Sequence, residues 1–314
     1  MKIAFHSNNL AERGTEVSLY DYAFFNEMIL GNQSLIIANK NGNLYALERF
    51  KEKFAVFLYK EFSEVDRFLT AERVDVFYAQ KFGLADGILS KICKSVVHCV
   101  FDTSQPHGDI YACISDWLAA QSPAKIPVVP LIVHLPDRED HLKSELEIPP
   151  EATVFGRYGG WETFDVRFVH CAIQKIIKYR NDIYFIFMNT KPFTIDAHPQ
   201  IKYLPKTYDV FRKVAFINTC DAMLHARMQG ETFGLAIGEF ALKKKPVITC
   251  SRSPETAHLD ILGDKCITYS DERQLYKILY NFNPAQSAAL ACPAYAEKYN
   301  PAKVMNIFKN VFLT

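Results

Sequence analysis

Two carboxylates eight residues apart, Glu231 and Glu239, flank what reads as the start of a helix. At roughly 3.6 residues per turn this spacing is about two turns, so both carboxylates lie on about one face. The N–H groups of the entry turn would lack helical partners and would point at an approaching anion. That turn consists of Thr232, Phe233, Gly234 and Leu235. A phosphate there, with a carboxylate on either side to accept hydroxyl hydrogen bonds, describes a nucleotide-sugar site.

An ordinary amphipathic helix with two solvated glutamates is the alternative. The Gly-Glu-Thr-Phe-Gly entry beginning at Gly230 and the Lys-Pro-Val-Ile exit beginning at Lys245 favour the site instead. At these residues the chain resembles the retaining glycosyltransferases of the GT-B fold, family four, whose signature is Glu-x7-Glu. The resemblance implies that Glu239 binds the ribose hydroxyls, Glu231 binds the transferred sugar, and the amides of residues 232–235 bind the diphosphate.

Composition limits the class of protein. A chain of 314 residues suits two domains of about 150 residues each. A net charge of +1 provides no overall field to attract nucleic acid or an anionic membrane. The eight cysteines form no Cys-x-x-Cys or metal-like cluster, which predicts reduced, mostly buried thiols. No signal peptide precedes the first strand-like run, and no apolar run approaches the ~20 residues of a membrane span. We therefore expect a cytoplasmic protein without a transmembrane segment.

Short apolar runs alternate with helix-length segments in the first half of the chain, as a parallel sheet covered by helices requires. Predicted strands are Lys2–His6, Ser34–Ala38, Phe54–Leu58, Asp75–Tyr78, Val96–Phe101 and Ile110–Ser115. Predicted helices are Thr15–Leu30, Leu44–Lys53, Ser63–Glu72, Leu84–Lys91 and Asp116–Gln121.

A proline-rich stretch between Pro123 and Pro150 then suits an inter-domain connection. A second alternating series follows it. Its predicted strands are Thr153–Arg157, Ile183–Met188, Ile201–Leu204, Ala222–His225, Pro246–Cys250 and Cys266–Tyr269, and its helices are Asp165–Tyr179, Tyr208–Asn218, Gly234–Leu242 and Glu272–Asn281. Alternation in both halves predicts an α/β protein with two doubly wound, Rossmann-like domains facing a cleft. We expect an acceptor-side domain at 1–135, a donor domain at 136–298, and a terminal helix at 299–314 that crosses back to the first domain, as the resemblance implies.

Further candidates lie where the first strands end. The loop before the first helix carries Gly14 and Thr15, where the resembled family has a glycine-bearing loop beside the donor phosphate; a plain strand-to-helix turn is equally compatible with these residues. The family often has a histidine or an acid at the end of the strand Val96–Phe101. Asp102 is the preferred candidate there, while His98 reads either as a catalytic histidine or as a satisfied core histidine. His107 is a weaker third candidate.

Arg157 follows Gly156 at the end of the second domain's first strand. The family pattern is Gly-Arg followed by a lysine, and the two cations hold the diphosphate; arginine suits this role because its planar fork binds phosphate bidentately. In this chain, residues 158–165, which follow Arg157, contain no lysine. Either the Gly159–Gly160 backbone replaces it or another cation does, and Arg227 is the best substitute.

No Asp-x-Asp motif occurs, so arginine and a helix N-terminus are expected to neutralise the leaving group without a metal or other cofactor. The combined prediction is a retaining glycosyltransferase. It would use a UDP- or GDP-sugar donor and a glycan or other hydroxyl acceptor, and would bind no nucleic acid. A sugar-nucleotide epimerase, a phosphorylase of the same fold and a catalytically dead GT-B-like binding subunit are the alternatives.

Overall fold

The computed structural model describes residues 1–194, 196–287 and 292–314. Over these residues the chain forms two compact units. The first contains residues 1–132 together with 298–314, and the second contains residues 133–297. Each unit is built on one six-stranded parallel sheet.

The first unit is a six-stranded sheet in the order β3-β2-β1-β4-β5-β6. Its strands are β1 (Lys2–Ser7), β2 (Gln33–Asn39), β3 (Ala55–Tyr59), β4 (Val76–Lys81), β5 (Lys94–Cys99) and β6 (Ile110–Cys113). Its helices up to residue 132 are α1 (Gly14–Met28), α2 (Leu47–Lys51), α3 (Ser63–Glu72) and α4 (Asp116–Ala120). β4 is buried along its whole length, as expected for a strand covered on both faces. Because β2 and β4 pair with opposite sides of β1, the strand order reverses beside β1, and the carboxyl ends of β1 and β4 mark the switch point.

The C-terminal segment completes this unit with α12 (Pro301–Phe308) and a π-helical turn (Lys309–Leu313). The Asn300 side chain caps α12, and Pro301 occupies its first turn, where a missing N–H costs nothing. The ring of Phe308 stacks on Tyr22 with centroids 5.2 Å apart and lies 5.4 Å from Tyr78. The segment is therefore anchored by aromatic packing.

The second unit has a six-stranded sheet in the order β14-β12-β10-β7-β8-β9. Its strands are β7 (Thr153–Tyr158), β8 (Ile183–Met188), β9 (Ile201–Leu204), β10 (Ala222–His225), β12 (Val247–Cys250) and β14 (Ile267–Tyr269); β11 (Gly230–Glu231) and β13 (Glu255–Thr256) form a separate parallel pair. The helices are α5 (Arg167–Ile176), α6 (Val210–Thr219), α7 (Leu235–Leu242), α8 (Ala257–Leu262), a 3-10 turn (Gly263–Lys265), α9 (Glu272–Asn281), α10 (Pro284–Ser287) and α11 (Ala294–Lys298). The switch point lies between β7 and β10, which are neighbours in the sheet.

One predicted helix, Leu84–Lys91, is wrong. This segment contains no helix because Gly83 and Gly87 have φ angles of +138° and +74°, outside the helical region. The Asp86 carboxylate also accepts a hydrogen bond from the N–H of Ile88, closing a local turn that competes with a helix. β5 ends at Cys99, short of the predicted Phe101, so Asp102 lies in the following loop. The pair β11–β13 and the helix α8 were not predicted.

Among the residues that the structure describes, none of the helices is both long enough and apolar enough to cross a membrane.

Candidate functional site

The signature glutamate Glu231 lies in β11, directly beyond the carboxyl end of β10. Gly230 before it has a φ of +83°, and a Cβ atom there would lie 2.0 Å from the carbonyl oxygen of Glu255 on β13. Only glycine fits such a position. The tight β11–β13 pairing therefore places Glu231 beside the sheet's carboxyl edge.

Glu231 is held by two basic side chains. Its Oε2 accepts a hydrogen bond from Arg227 Nη1 at 2.9 Å, and its Oε1 lies 3.2 Å from His225 Nε2. Removal of water opposes ionisation, but the His225 hydrogen bond and the charges of Arg227 and His225 outweigh it and lower the pKa of Glu231 to about 2. The side chain keeps 24% of its surface exposed. Glu231 is thus an ionised, partly accessible hydrogen-bond acceptor.

A chain of buried polar groups continues inward from Glu231. His225 Nδ1 lies 2.7 Å from the Thr249 hydroxyl, which lies 3.2 Å from His258 Nε2. Burial is the main cause that lowers the pKa of His258 to about 3, so this imidazole is neutral near pH 7. None of these three residues was predicted, and they come from β10, β12 and α8. Only His225 has a signal of its own in the sequence, because it is the last residue of the apolar strand β10.

The turn between Glu231 and α7 forms a compact entry. Gly234 adopts a left-handed conformation with a φ of +84°, and α7 begins at the next residue, one position after the predicted start. Thr232 and Phe233 are buried. No side chain caps this helix, whose first N–H groups have no intrahelical partners. The local geometry suits an anion at the start of α7.

The second signature glutamate, Glu239, is buried in α7 with 2% of its surface exposed. One carboxylate oxygen contacts the ammonium of Lys213 on α6, and the other accepts a hydrogen bond from the Tyr158 hydroxyl at the end of β7. Lys213 also lies over the Tyr158 ring, 5.7 Å from its centroid. Neither partner was predicted, because each is distant from Glu239 along the chain.

Arg157 on β7 points into the unit rather than standing on its surface, since only 3% of it is exposed. Its guanidinium donates to the Thr190 hydroxyl at 2.6 Å and to the Gly160 carbonyl at 3.0 Å. Burial lowers its pKa to about 10, so it remains charged near pH 7. A Cβ on Gly159 would lie 2.7 Å from the guanidinium, so this glycine makes room for Arg157. In this structure Arg157 holds the loop after β7, and its predicted contact with a diphosphate stays a prediction.

The loops after β7 and β10 are tied together across the switch point. The Asp165 carboxylate accepts a hydrogen bond from the Met228 N–H at 2.7 Å, and the Asp165 N–H donates to the Ala226 carbonyl at 3.1 Å. The charges of Glu231 and Arg227 both act on Arg157. The fold has therefore brought Arg157, Arg227 and Glu231 together at the edge where open α/β sheets bind ligands.

The first unit places its predicted residues around its own sheet edge. Gly14 and Thr15 form the start of α1, which has no side-chain cap. Asp102 lies in the loop after β5, where its carboxylate accepts a hydrogen bond from the Ser104 N–H at 2.8 Å. The side-chain and backbone hydrogen bonds of Ser104 lower the pKa of Asp102. His107 lies 3.5 Å from the ammonium of Lys81, which forms an ion pair with Asp86. Lys81 and Asp86 were not predicted.

His98 lies inside β5 with no exposed surface. Its Nδ1 is 2.6 Å from the Tyr78 hydroxyl, and its Nε2 is 2.7 Å from the Val129 carbonyl. Burial lowers its pKa to about 4. These are the surroundings of a satisfied core histidine, the second of the two interpretations above, and they leave no ring nitrogen for substrate.

Comparisons with known proteins place these features in a known architecture. No protein-family model and no curated protein sequence matches the chain. Solved structures do match. Anabaena HepE in complex with UDP-glucose has a TM-score of 0.76 at 16% identity, covering 100% of both chains. The fold is the GT-B fold.

Two further glycosyltransferases support the same assignment. One is from Rickettsia africae, with a TM-score of 0.71 at 14% identity over 99% of this chain and 98% of that one. The other is WaaG, which is involved in lipopolysaccharide biosynthesis and has a TM-score of 0.69 at 11% identity over 98% and 99%. At these identities the similarity establishes the GT-B architecture, and activity has to be argued from the site.

Proposed function

We propose that this protein is a retaining glycosyltransferase that moves a sugar from a nucleoside diphosphate sugar to a hydroxyl acceptor. The observation that carries the proposal is the arrangement at the switch point of the second sheet. An ionised Glu231, paired with Arg227, stands directly before the uncapped start of α7. The Glu231 carboxylate, which can accept hydrogen bonds from sugar hydroxyls, therefore lies next to backbone N–H groups that can donate hydrogen bonds to a phosphate.

Each residue around the switch point has a proposed role toward the donor. We assign sugar hydroxyls to Glu231, the ribose to Glu239, and the diphosphate to Arg227 and the turn of Thr232, Phe233, Gly234 and Leu235. The buried guanidinium of Arg157, which contacts the loop after β7, adds further positive charge near this site. Charge on the leaving diphosphate grows toward the transition state, so preorganised cations and amides there contribute directly to the rate. In the front-side displacement that we propose, the departing phosphate takes the acceptor proton, and no side-chain base is needed.

A UDP-sugar is the preferred donor, because HepE, which has the same fold, is described in complex with UDP and with UDP-glucose. We assign the acceptor to the carboxyl edge of the first sheet, where Gly14, Thr15 and Asp102 lie. A glycan is the proposed acceptor class, and a GDP-sugar is the donor alternative.

The test combines binding with turnover. Calorimetry with UDP and GDP should show binding of at least one, and UDP-glucose with a panel of glycosides should release UDP only when an acceptor is present. The product's new bond should have the α configuration of the donor, by NMR. Glu231→Gln should abolish turnover and keep UDP binding. Donor conversion that needs no acceptor would instead indicate an epimerase.

A binding subunit without activity is a second candidate, and one observation favours it. Both oxygens of Glu239 are already occupied by Lys213 and Tyr158, and no lysine follows Arg157. Such a subunit would show no UDP release with any donor or acceptor pair. Nucleotide binding without turnover across the whole panel would support it over the transferase.

A further inference from the structure

The Glu231 carboxylate is held at both of its oxygens. Arg227 donates to Oε2 at 2.9 Å, and His225 Nε2 lies 3.2 Å from Oε1. With one donor on each oxygen, the carboxylate cannot rotate about its last bond without breaking a contact. A carboxylate has about four lone-pair positions, so each oxygen can still accept a hydrogen bond in a fixed direction. The side chain keeps 24% of its surface exposed, which allows hydroxyl groups of a ligand to reach these positions.

The two donors are held differently. Arg227 is on the loop after β10 with 22% of its side chain exposed, whereas only 5% of the His225 side chain is exposed. His225 pairs with Thr249 across strands β10 and β12, and its Nδ1 lies 2.7 Å from the Thr249 hydroxyl. That hydroxyl lies 3.2 Å from Nε2 of His258 on α8. The His225 ring is therefore fixed by neighbouring elements on the side away from Glu231.

The contacts also define which atoms carry protons. An ionised carboxylate only accepts, so Nε2 of His225 carries the N–H. In the neutral ring Nδ1 is then an acceptor, and the Thr249 hydroxyl donates to it. The oxygen of that hydroxyl can accept a hydrogen bond from His258 Nε2. His258 is neutral near pH 7 and has one N–H, so its Nδ1 is then a bare acceptor.

His258 supports this direction. Its Nδ1 is buried and has no hydrogen-bond partner. In the opposite direction this nitrogen would carry an N–H, and orphaned buried N–H groups are rarer in folded proteins than unsatisfied acceptors. The hydrogen bonds therefore run from His258 through Thr249 and His225 to Glu231.

We propose that His225 is a positioning residue for sugar recognition. Held by Thr249 and His258, it fixes the Glu231 carboxylate in the orientation that accepts hydrogen bonds from the hydroxyl groups of the transferred sugar. This inference rests on the proposed function, and it adds three residues that lie outside the Glu-x7-Glu motif. It predicts that affinity for the sugar part of the donor depends on His225 and Thr249, and that affinity for the nucleotide part does not.

Four variants test this role. His225→Gln keeps an amide N–H near the position of Nε2, whereas His225→Asn is one methylene shorter, so its amide can reach Thr249 but not Glu231. Thr249→Val keeps the shape of the side chain and removes the hydroxyl. The matched control is Thr219→Val, which removes a buried hydroxyl that makes two backbone hydrogen bonds in the same unit, away from Glu231.

Calorimetry with UDP-glucose and with UDP at pH 8 gives the ratio of the two affinities for each variant, and GDP-glucose with GDP replaces this pair if the wild type binds only GDP. We expect His225→Asn to lower the ratio at least about tenfold, as for loss of a hydrogen bond to a charged group. Thr249→Val should lower it to a smaller extent, and His225→Gln should restore most of it. Affinity for the free nucleotide should not change, and the control should lower only the Tm.

A purely structural role of His225 would lower the Tm of every variant and leave the ratio unchanged, and this result overturns the inference. Equal ratios in His225→Asn and His225→Gln overturn it as well. Imidazole ¹⁵N NMR of the free protein tests the proton positions without any nucleotide, and a bare Nε2 on His225 also contradicts the inference. Nucleotide binding with an unchanged ratio defeats this inference alone, whereas failure of the wild type to bind any nucleotide defeats the proposed function.

Discussion

The ammonium of Lys213 contacts the carboxylate of Glu239 in a buried ion pair, with only 14% and 3% of the two side chains exposed. The Tyr158 hydroxyl donates to the second carboxylate oxygen. The pair shows that Glu239 takes part in the packing of α6 against α7, and the ribose contact that we propose for it would be a second role. Its stability and binding roles can be separated by experiment.

Lys213→Met should destabilise the protein strongly, because it leaves the Glu239 carboxylate buried without a counter-charge. Loss of one partner of a buried pair costs about 3–5 kcal/mol, and a second change, Glu239→Leu, should restore much of it. Urea unfolding measures both variants. The matched control is Lys51→Met, which breaks an exposed pair with Glu48 and should cost less than about 1 kcal/mol. Equal effects of Lys213→Met and Lys51→Met would contradict the buried pairing.

Glu239→Gln tests the ribose contact with less damage to the fold, since the amide keeps one acceptor oxygen for Tyr158 or Lys213. Loss of a charged hydrogen-bond acceptor should weaken UDP binding by about 1.5–3 kcal/mol. Calorimetry with UDP and with uracil measures the difference. Glu239 does not serve the ribose if the variant remains folded by circular dichroism and binds UDP as tightly as the wild type.

Arg227 and Arg157 should respond differently to truncation. Arg227 is partly exposed beside Glu231, so Arg227→Ala should lower kcat by about 10²–10³ with little change in Tm, as expected for removal of one preorganised donor. Arg157 is buried and holds the loop after β7, so Arg157→Ala should lower the Tm as well as kcat. Steady-state kinetics and thermal unfolding of both variants give the comparison. Near wild-type kcat in Arg227→Ala would show that the diphosphate site lies elsewhere.

Stability should fall in acid because buried groups keep their pKa values low. The pKa is about 3 for His6 and His258, about 4 for His98 and about 2 for Glu231. Below the unfolded histidine pKa of 6.5, the unfolded chain binds protons that the folded chain does not, so stability declines toward the folded values. Glu231 adds a loss below 4.5, and Glu16, with its raised pKa, offsets part of the decline between 4.5 and about 7.

Urea unfolding at about pH 7, 6, 5 and 4 measures this slope. It amounts to about 1.4 kcal/mol per pH unit for each proton that the unfolded chain binds and the folded chain does not. His98→Phe should flatten the curve. A stability that stays constant from about pH 6.5 to 4 would mean that these histidines bind protons as readily in the folded state as in the unfolded state.

Chelators should leave turnover intact, because we assign the leaving diphosphate to Arg227 and to the start of α7. The measurement is UDP release before and after dialysis against EDTA, with added Mg²⁺ or Mn²⁺ as the comparison. Full loss of activity that either metal restores would show that a metal holds the diphosphate, and the cation assignment would then be wrong.

Local patterns determined much of this fold. The predicted bounds of Ser63–Glu72, Ile183–Met188 and Ala222–His225 coincide with α3, β8 and β10. Each of these three elements is predicted by the periodicity of its own apolar residues, a local pattern that does not depend on any residue distant along the chain. The Glu-x7-Glu spacing likewise predicts a site around α7 from local sequence alone, because both glutamates belong to one continuous stretch of chain.

Tertiary structure decided how the charges are paired. Lys213 reaches Glu239 from another helix, and Thr249 joins His225 to His258 across separate elements. The same packing placed the Thr190 hydroxyl and the Gly160 carbonyl beside Arg157. It also placed Tyr78 and the Val129 carbonyl beside the two ring nitrogens of His98. Whether a side chain is buried, and which distant group satisfies it, depends on how the elements pack, and no spacing along the chain records it. The sequence therefore determined where chemistry could occur, and the packed structure decided which groups are charged, paired or left free to bind.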